Sequence, residues 1–340
     1  MSTDSNTFLA RSRFFPETIQ PKQSFQLRNG TTVETCCPGV ITFAPASIQS
    51  TKSIVLSSGV HGNETAPIEI CEALVEALLQ EKIKTQHRIM FIFGNLPAIN
   101  SGERFVEENL NRLFNASLSI DNQEQVRAQE LKREVHRFFE NDSTHPSSHS
   151  DSKRIHYDLH TAIRESKNQK FVVYPYLHGH EYNKQQLRFL SACAVNTILL
   201  SQSPTSTFSY YTSRNYNAHS FTIELGKVKP FGQNDMASFS KVIEMLTQLI
   251  TQQEPILPPL DECPLDVFDV KQVIDKHTAD FKLHFADNIP NFTGFQKGSL
   301  LATDGDKEYR ALEDDEAIVF PNANVALGQR ALLTVVRCEI

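Results

Sequence analysis

The first clear pattern along the chain is a short apolar run, Ser53 to Ser58 (SIVLSS), that stops at Gly59. From Pro67 onward IEICEALVEALLQ places apolar residues at helical spacing, with Thr65 available near the cap, so strand, loop and helix are predicted in that order. RIMFIFGN then reads as a buried strand from Arg88 to about Phe93, and the mixed charge of Gln123 to Glu140 reads as an exposed helix. A polar, turn-rich stretch, Asn141 to Lys153, delivers the chain into IHYDLH, whose alternation predicts a strand over Ile155 to Leu159. AVNTILLS and SFTIELG are strand-like, and DMASFSKVIEMLTQLITQQ returns to helical spacing.

Alternating strands and helices predict an α/β fold with a mixed central sheet flanked by helices. Pro255, Pro258, Pro259 and Pro264 punctuate PILPPLDECPL, and the runs beyond it (DVFDVKQVI, FKLHFA, EAIVF, ALLTVV) are short and strand-like. The expected organisation is a catalytic domain over residues 1–254, a Pro-rich linker over 255–264 and a smaller β-rich C-terminal domain over 265–340.

Composition narrows the function classes. A hydrophobic fraction of 40% with 21% charged residues is that of a folded globular chain. The net charge of -7 and the lack of a Lys/Arg stripe argue against a nucleic-acid partner. No run reaches the ~20 apolar residues that a bilayer crossing needs, so no membrane partner is expected. The opening segment has no basic start followed by a continuous apolar stretch, and Cys36, Cys37, Cys71, Cys193, Cys263 and Cys338 form no C-x-x-C motif. Reduced thiols and a cytoplasmic location are the expectation.

The chemistry concentrates in GVHGNE. A strand ending in a glycine-flanked loop can turn the His61 imidazole and the Glu64 carboxylate toward one point. A hydrolytic zinc site of the His2Glu type needs one more histidine and an open position for water. His160, at the end of the strand predicted over Ile155 to Leu159, is the candidate third ligand, because strand exits gather at the carboxyl edge of such a sheet. A helical H-E-x-x-H motif is absent, which excludes a thermolysin-like arrangement. Asp158, two residues earlier on the same strand face, is either a hydrogen-bond acceptor for a ligand imidazole or an ordinary half-buried polar residue. Glu224, between an apolar strand and Gly226, is the candidate acid/base. In RFVEENLNRLF the side chains of Arg104, Asn111 and Arg112 are candidates for gripping a carboxylate. The His178/His180 pair in LHGHE is a rival metal site without a third ligand in a comparable setting, and His145, His149 and His156 read as incidental.

In combination, GVHGNE, GNLPAINSGERFVEENLNRLF, YDLHTA and FTIELG resemble the succinylglutamate desuccinylase and aspartoacylase family, over roughly residues 50 to 235 and in the same order. The resemblance implies a zinc-carboxypeptidase-like fold and one Zn2+ per subunit held by His61, Glu64 and His160. It makes Glu224 the general base and Arg104 the residue that polarises the scissile carbonyl. It makes Asn111 and Arg112 the pair that binds the substrate's α-carboxylate. The implied substrate is a small-molecule N-acyl amino acid, with cleavage of N-succinyl-L-glutamate to succinate and L-glutamate, in arginine degradation, as the activity it points to. An aspartoacylase-like deacylase, a carboxypeptidase and a non-catalytic metal-binding homologue are the alternatives. One departure stands out: aspartoacylase-like members carry an acid where Asn109 stands here. For the succinyl carboxylate, Arg164, Lys167, Arg188 and Arg214 are equally placed, and the sequence sets no oligomeric state.

Overall fold

A computed structural model describes residues 6–46, 52–115, 120–140 and 154–340. The polar stretch over residues 141–153, with His145 and His149, lies outside the described residues. In chain order the first part holds α1 (Phe8–Phe14), β1 (Gln23–Gln26), β2 (Thr32–Cys37), β3 (Val40–Ala44), β4 (Ser53–Ser58), α2 (Thr65–Leu79), β5 (Arg88–Phe93), α3 (Leu96–Ser101) and α4 (Gln123–Glu140). Next come β6 (Arg154–Ala162), β7 (Phe171–Tyr174), α5 (Lys184–Ala192), β8 (Thr197–Leu200), α6 (Phe208–Tyr216), β9 (His219–Lys227) and α7 (Ser240–Thr251). The chain ends with β10 (Asp266–Asp275), β11 (Lys282–Leu283), β12 (Thr293–Phe295), β13 (Leu300–Asp304), β14 (Lys307–Arg310), β15 (Glu316–Val319) and β16 (Arg330–Arg337).

One long mixed sheet runs β1-β2-β3-β5-β4-β6-β9-β7-β8-β10-β16-β15-β12. Its centre, β5-β4-β6-β9, is parallel. β7 then reverses against β9. The fold class is the α/β arrangement expected from the sequence, with helices on both faces, and period-two alternation assigns those faces. Ile54 and Leu56 of β4 pack with Ile68, Leu74 and Leu78 of α2 and with residues of α5 and α7. Val55 faces the other way, into a cluster with Leu131, Val135 and Phe139 of α4 and Phe208 of α6. On the otherwise charged α4, Ala128, Leu131, Val135, Phe138 and Phe139 form a single buried stripe.

The C-terminal strands continue the same sheet, because β10 pairs in parallel with β8 from Asp266↔Thr197 to Asp269↔Leu200. A separate three-stranded sheet, β11-β13-β14, completes the β-rich end. Among the described residues no helix is long and apolar enough to cross a membrane. All six cysteines are free thiols, four of them buried.

Two predicted boundaries move, both at the site. His160 does not follow the strand but lies within it: β6 runs to Ala162, with a register irregularity against β9 between His160 and Ala162. Every residue of β6 after Arg154 is buried, so its polar positions face protein on both sides of the sheet rather than water. Thr65 is not a cap but the first residue of α2, and Glu64 holds the cap position.

Candidate metal centre and active site

The parallel order of β4, β6 and β9 brings their carboxyl ends to one edge, the place where open α/β sheets bind ligands. The loop leaving β4 is pressed onto α3. Gly59 turns with φ +63, and a Cβ on Gly62 would lie 2.1 Å from the Ala98 carbonyl carbon and 2.3 Å from the Ile99 nitrogen. The Gly62 N–H donates to the Arg104 carbonyl at 3.1 Å, tying this loop to the RFVEEN segment.

Although Glu64 stands at the cap of α2, its side chain caps nothing. Its carboxylate is the focus of the site. Oε1 lies 2.8 Å from His61 Nδ1 and 2.7 Å from Arg104 Nη1. Oε2 lies 2.8 Å from His160 Nδ1 and accepts the Thr161 N–H at 3.0 Å. His61, Glu64 and His160 are all buried, and one donor atom from each lies within 4.8 Å of the others. Burial alone would raise Glu64, but the charges of His61 and His160 and their hydrogen bonds hold it well below the usual carboxylate range. The two imidazoles shift in opposite directions. Burial pushes His61 down to about 4. Burial also pulls on His160, yet Asp158 and Glu64 on either side of it outweigh that pull and raise it well above an ordinary histidine.

Each ring is braced from behind. His61 Nε2 meets Asn109 Oδ1 at 2.9 Å, and His160 Nε2 meets Asp158 Oδ2 at 2.9 Å. A ring that donates its outer N–H to such an oxygen would present a bare Nδ1 to a cation on the Glu64 side. Two imidazoles and a carboxylate converging in a buried site, each imidazole facing an oxygen acceptor, form a donor set that fits zinc. Of the two sequence readings of Asp158, the structure shows the hydrogen-bonded one. The bracing role of Asn109 was invisible in the sequence, where it was only a missing acid.

Glu224 joins the same face through strand register, as the Cα partner of His160 across β6 and β9. It is 7% exposed, and its Oε2 is buried with no hydrogen-bond partner among the described residues. Burial, and then the charge of Glu64, lift it to about 7. A carboxyl group poised there can take and return a proton at neutral pH.

The second motif meets this group through Arg104 and Asn109. Arg104 reaches Glu64, 31% exposed at the site's rim. Asn111 is buried, and its Oδ1 accepts the Phe208 N–H at the start of α6. Only its amide N–H2 can therefore meet an anion. Arg112 donates to the Asn111 carbonyl at 3.0 Å, and burial together with the charges of Arg330 and Arg104 pushes it down to about 9. Arg330, at the start of β16 in the C-terminal part, was not a sequence candidate. Two of the four candidates that were have other work: Arg164 donates to the carbonyls of Asp287, Ile289 and Pro321, and Arg188 to those of Pro258 and Leu257. Lys167 and Arg214 are exposed.

The remaining histidines separate cleanly. His178 Nε2 bonds the Tyr210 hydroxyl at 2.8 Å, and the buried metal-capable group among the described residues consists of His61, Glu64 and His160. The rival pair is thus no part of the metal group. His156 is not incidental: it is fully buried, 2.8 Å from Ser57 Oγ and 2.7 Å from Thr212 Oγ1.

Residues 50–250 match the family model described as the succinylglutamate desuccinylase/aspartoacylase catalytic domain, and residues 263–338 match the AstE/AspA barrel-sandwich hybrid domain. The succinylglutamate desuccinylase of Pseudoalteromonas atlantica is 53% identical over 334 residues, covering 97% of this chain and 93% of its own length. That of Idiomarina loihiensis is 49% identical, covering 97% and 95%. The solved succinylglutamate desuccinylase from Vibrio cholerae has a TM-score of 0.88 at 31% identity, covering 99% of this chain and 96% of that one. With its catalytic-domain model matched over more than half its length and these relatives aligned nearly end to end, the chain belongs to the succinylglutamate desuccinylase/aspartoacylase family.

Proposed function

We propose that the chain is a cytoplasmic, zinc-dependent amide hydrolase that cleaves N-succinyl-L-glutamate to succinate and L-glutamate in arginine degradation. The observation that carries the reading is the convergence of His61, Glu64 and His160 with Glu224 in register beside them. The names of relatives aligned over 93–95% of their own length favour the succinyl substrate within that chemistry.

His61, Glu64 and His160 hold the ion, with Asn109 and Asp158 orienting the two imidazoles. When bound, zinc supplies Lewis acidity, which acidifies water and polarises an amide carbonyl. Glu224 takes the proton of the attacking water and delivers it to the departing glutamate nitrogen, a cycle that suits a group near 7. Arg104, at the rim, donates to the carbonyl oxygen as negative charge develops on it, an effect worth ~3–4 kcal/mol where single donors have been removed from other enzymes. The amide of Asn111 and the guanidinium of Arg112 bind the α-carboxylate. The substrate carries three carboxylates, and Arg104, Arg112 and Arg330 form a cationic cluster whose mutual repulsion such an anion relieves.

The test is a turnover comparison of N-succinyl-L-glutamate, N-acetyl-aspartate and a C-terminal peptide by the zinc-loaded protein, by chelator-treated protein and after zinc is returned. Preferred release of glutamate, lost with the metal and restored by it, supports the reading. Preference for either other substrate transfers the chain to the aspartoacylase-like or carboxypeptidase alternative. Metal-independent turnover removes zinc from the mechanism.

A further inference from the structure

Behind His160 the hydrogen bonding does not stop at Asp158. Asp158 Oδ1 receives Ser57 Oγ at 2.5 Å, Ser57 Oγ lies 2.8 Å from His156 Nε2, His156 Nδ1 lies 2.7 Å from Thr212 Oγ1, and Thr212 Oγ1 lies 2.8 Å from Ser220 Oγ. These groups come from β4, β6, α6 and β9, and all are 0–1% exposed.

Counting protons fixes the direction of this chain. A carboxylate only accepts, so the single Ser57 proton goes to Asp158 along the short contact. Ser57 Oγ must then accept from His156 Nε2–H. His156 touches two hydroxyls and the Phe208 ring, and its burial pushes it down to about 4, so the ring is neutral with one N–H. Its Nδ1 must therefore accept, and the Thr212 hydroxyl is the donor that faces it. With its proton turned to His156 rather than to the Phe208 and Ser209 carbonyls at 3.3 and 3.0 Å, Thr212 is left to accept from Ser220, whose other acceptor is the Ala218 carbonyl at 3.2 Å. Every proton in the row points toward Asp158, whose other oxygen takes the His160 Nε2–H.

We propose that Ser220, Thr212, His156 and Ser57 form a one-way donor relay that locks Asp158 in place, so that His160 keeps its proton on Nε2 and offers Nδ1 to the metal. Ser57 and His156 are positioning residues that act through Asp158 and touch neither metal nor substrate. The inference rests on the zinc reading given above. It assigns a purpose to a buried, neutral histidine that neither the ligand set nor the proton transfer uses. A purely apolar residue at 156 would leave the Ser57 and Thr212 hydroxyls short of a partner in the core.

Two measurements test it. Chelator competition on the full-length protein should show Ser57→Ala binding zinc about 10- to 100-fold more weakly, the range found when outer partners of metal ligands are removed. Ser57→Thr, which keeps a hydroxyl, should bind like the parent. Long-range proton–nitrogen NMR on the ring-labelled, zinc-loaded parent should show His156 neutral and protonated on Nε2, a result that does not depend on any variant folding. Unchanged zinc affinity in Ser57→Ala with only a lower Tm makes Ser57 merely structural and overturns the relay, as does His156 protonated on Nδ1. A parent protein that binds no zinc fails the underlying reading itself.

Discussion

Adding one methyl group at Gly62 tests how the metal loop is held. A Cβ there would lie 2.1 Å from the Ala98 carbonyl carbon, 2.3 Å from the Ile99 nitrogen and 2.4 Å from the Ala98 oxygen. These are backbone atoms of α3, which no rotamer change can move aside. Carbon atoms pack at about 3.5–4.0 Å, so loop and helix must part by roughly 1 Å or more. Overpacking of this kind destabilises by about 1–3 kcal/mol. The larger effect is on geometry, because His61 and Glu64 flank the altered residue, and a misplacement near 1 Å lowers a reaction rate by about 10²-fold. Gly62→Ala is therefore expected to lose several degrees of Tm and about 10²-fold in kcat/KM, with weakened zinc binding. Differential scanning fluorimetry, chelator competition and an amine-release assay read the three quantities. Parent-like values for all three would falsify the claim that the loop's seat on α3 sets the ligand positions.

Glu224→Gln should keep full zinc content while kcat drops by about 10²–10⁴-fold, the usual contribution of a positioned acid/base; a variant with most of its rate removes Glu224 as the base. Arg112→Ala should mainly raise KM for substrates bearing an α-carboxylate, and Arg330→Ala should raise KM for N-succinyl-glutamate. Falls confined to kcat would place those side chains elsewhere in the mechanism. His87 provides a pH test away from the site. Burial, aided by the Lys52 charge, pushes it down to about 4, while its Nε2 bonds the Gln252 carbonyl at 2.9 Å. Between about 6.5 and 4 the unfolded chain therefore binds a proton there that the fold does not, so this contribution to stability is complete above about 6.5 and is lost as pH falls through that window. The Tm difference between parent and His87→Gln should shift against the parent from pH 7.5 to pH 5, and a pH-independent difference refutes the assignment.

What the sequence revealed, and what it hid, follows from the range over which each signal acts. The long helices α2 and α4 and the buried strands β4, β5 and β9 were legible because each carries a local signal: helical spacing in α2, mixed charge in α4 and short apolar runs in the strands. Asp158 was legible because a residue two positions away shares a strand face. The short polar helices α5 and α6, with sequences KQQLRFLSA and FSYYTSRNY, carried too few apolar positions to stand out. The end of β6 was misplaced because its register irregularity arises from pairing with β9, which local pattern does not encode. The residues that brace the site were hidden for the same reason. Asn109 is 48 positions from His61, Ser57 is 99 from His156, and Arg330 comes from the far end of the chain to act on Arg112. Chemistry could nominate the candidate metal ligands and Glu224 because few residue types serve those roles. Hydroxyls and amides serve many, and only their partners single them out.

Everything proposed for catalysis depends on the His61–Glu64–His160 group holding one ion. Zinc per chain, measured by mass spectrometry on the purified parent and on His160→Ala with its fold verified by circular dichroism, addresses this most directly. The account predicts one zinc per parent chain and little or none in the variant. Stoichiometric zinc in His160→Ala, or none in the parent under zinc-replete conditions, would contradict it.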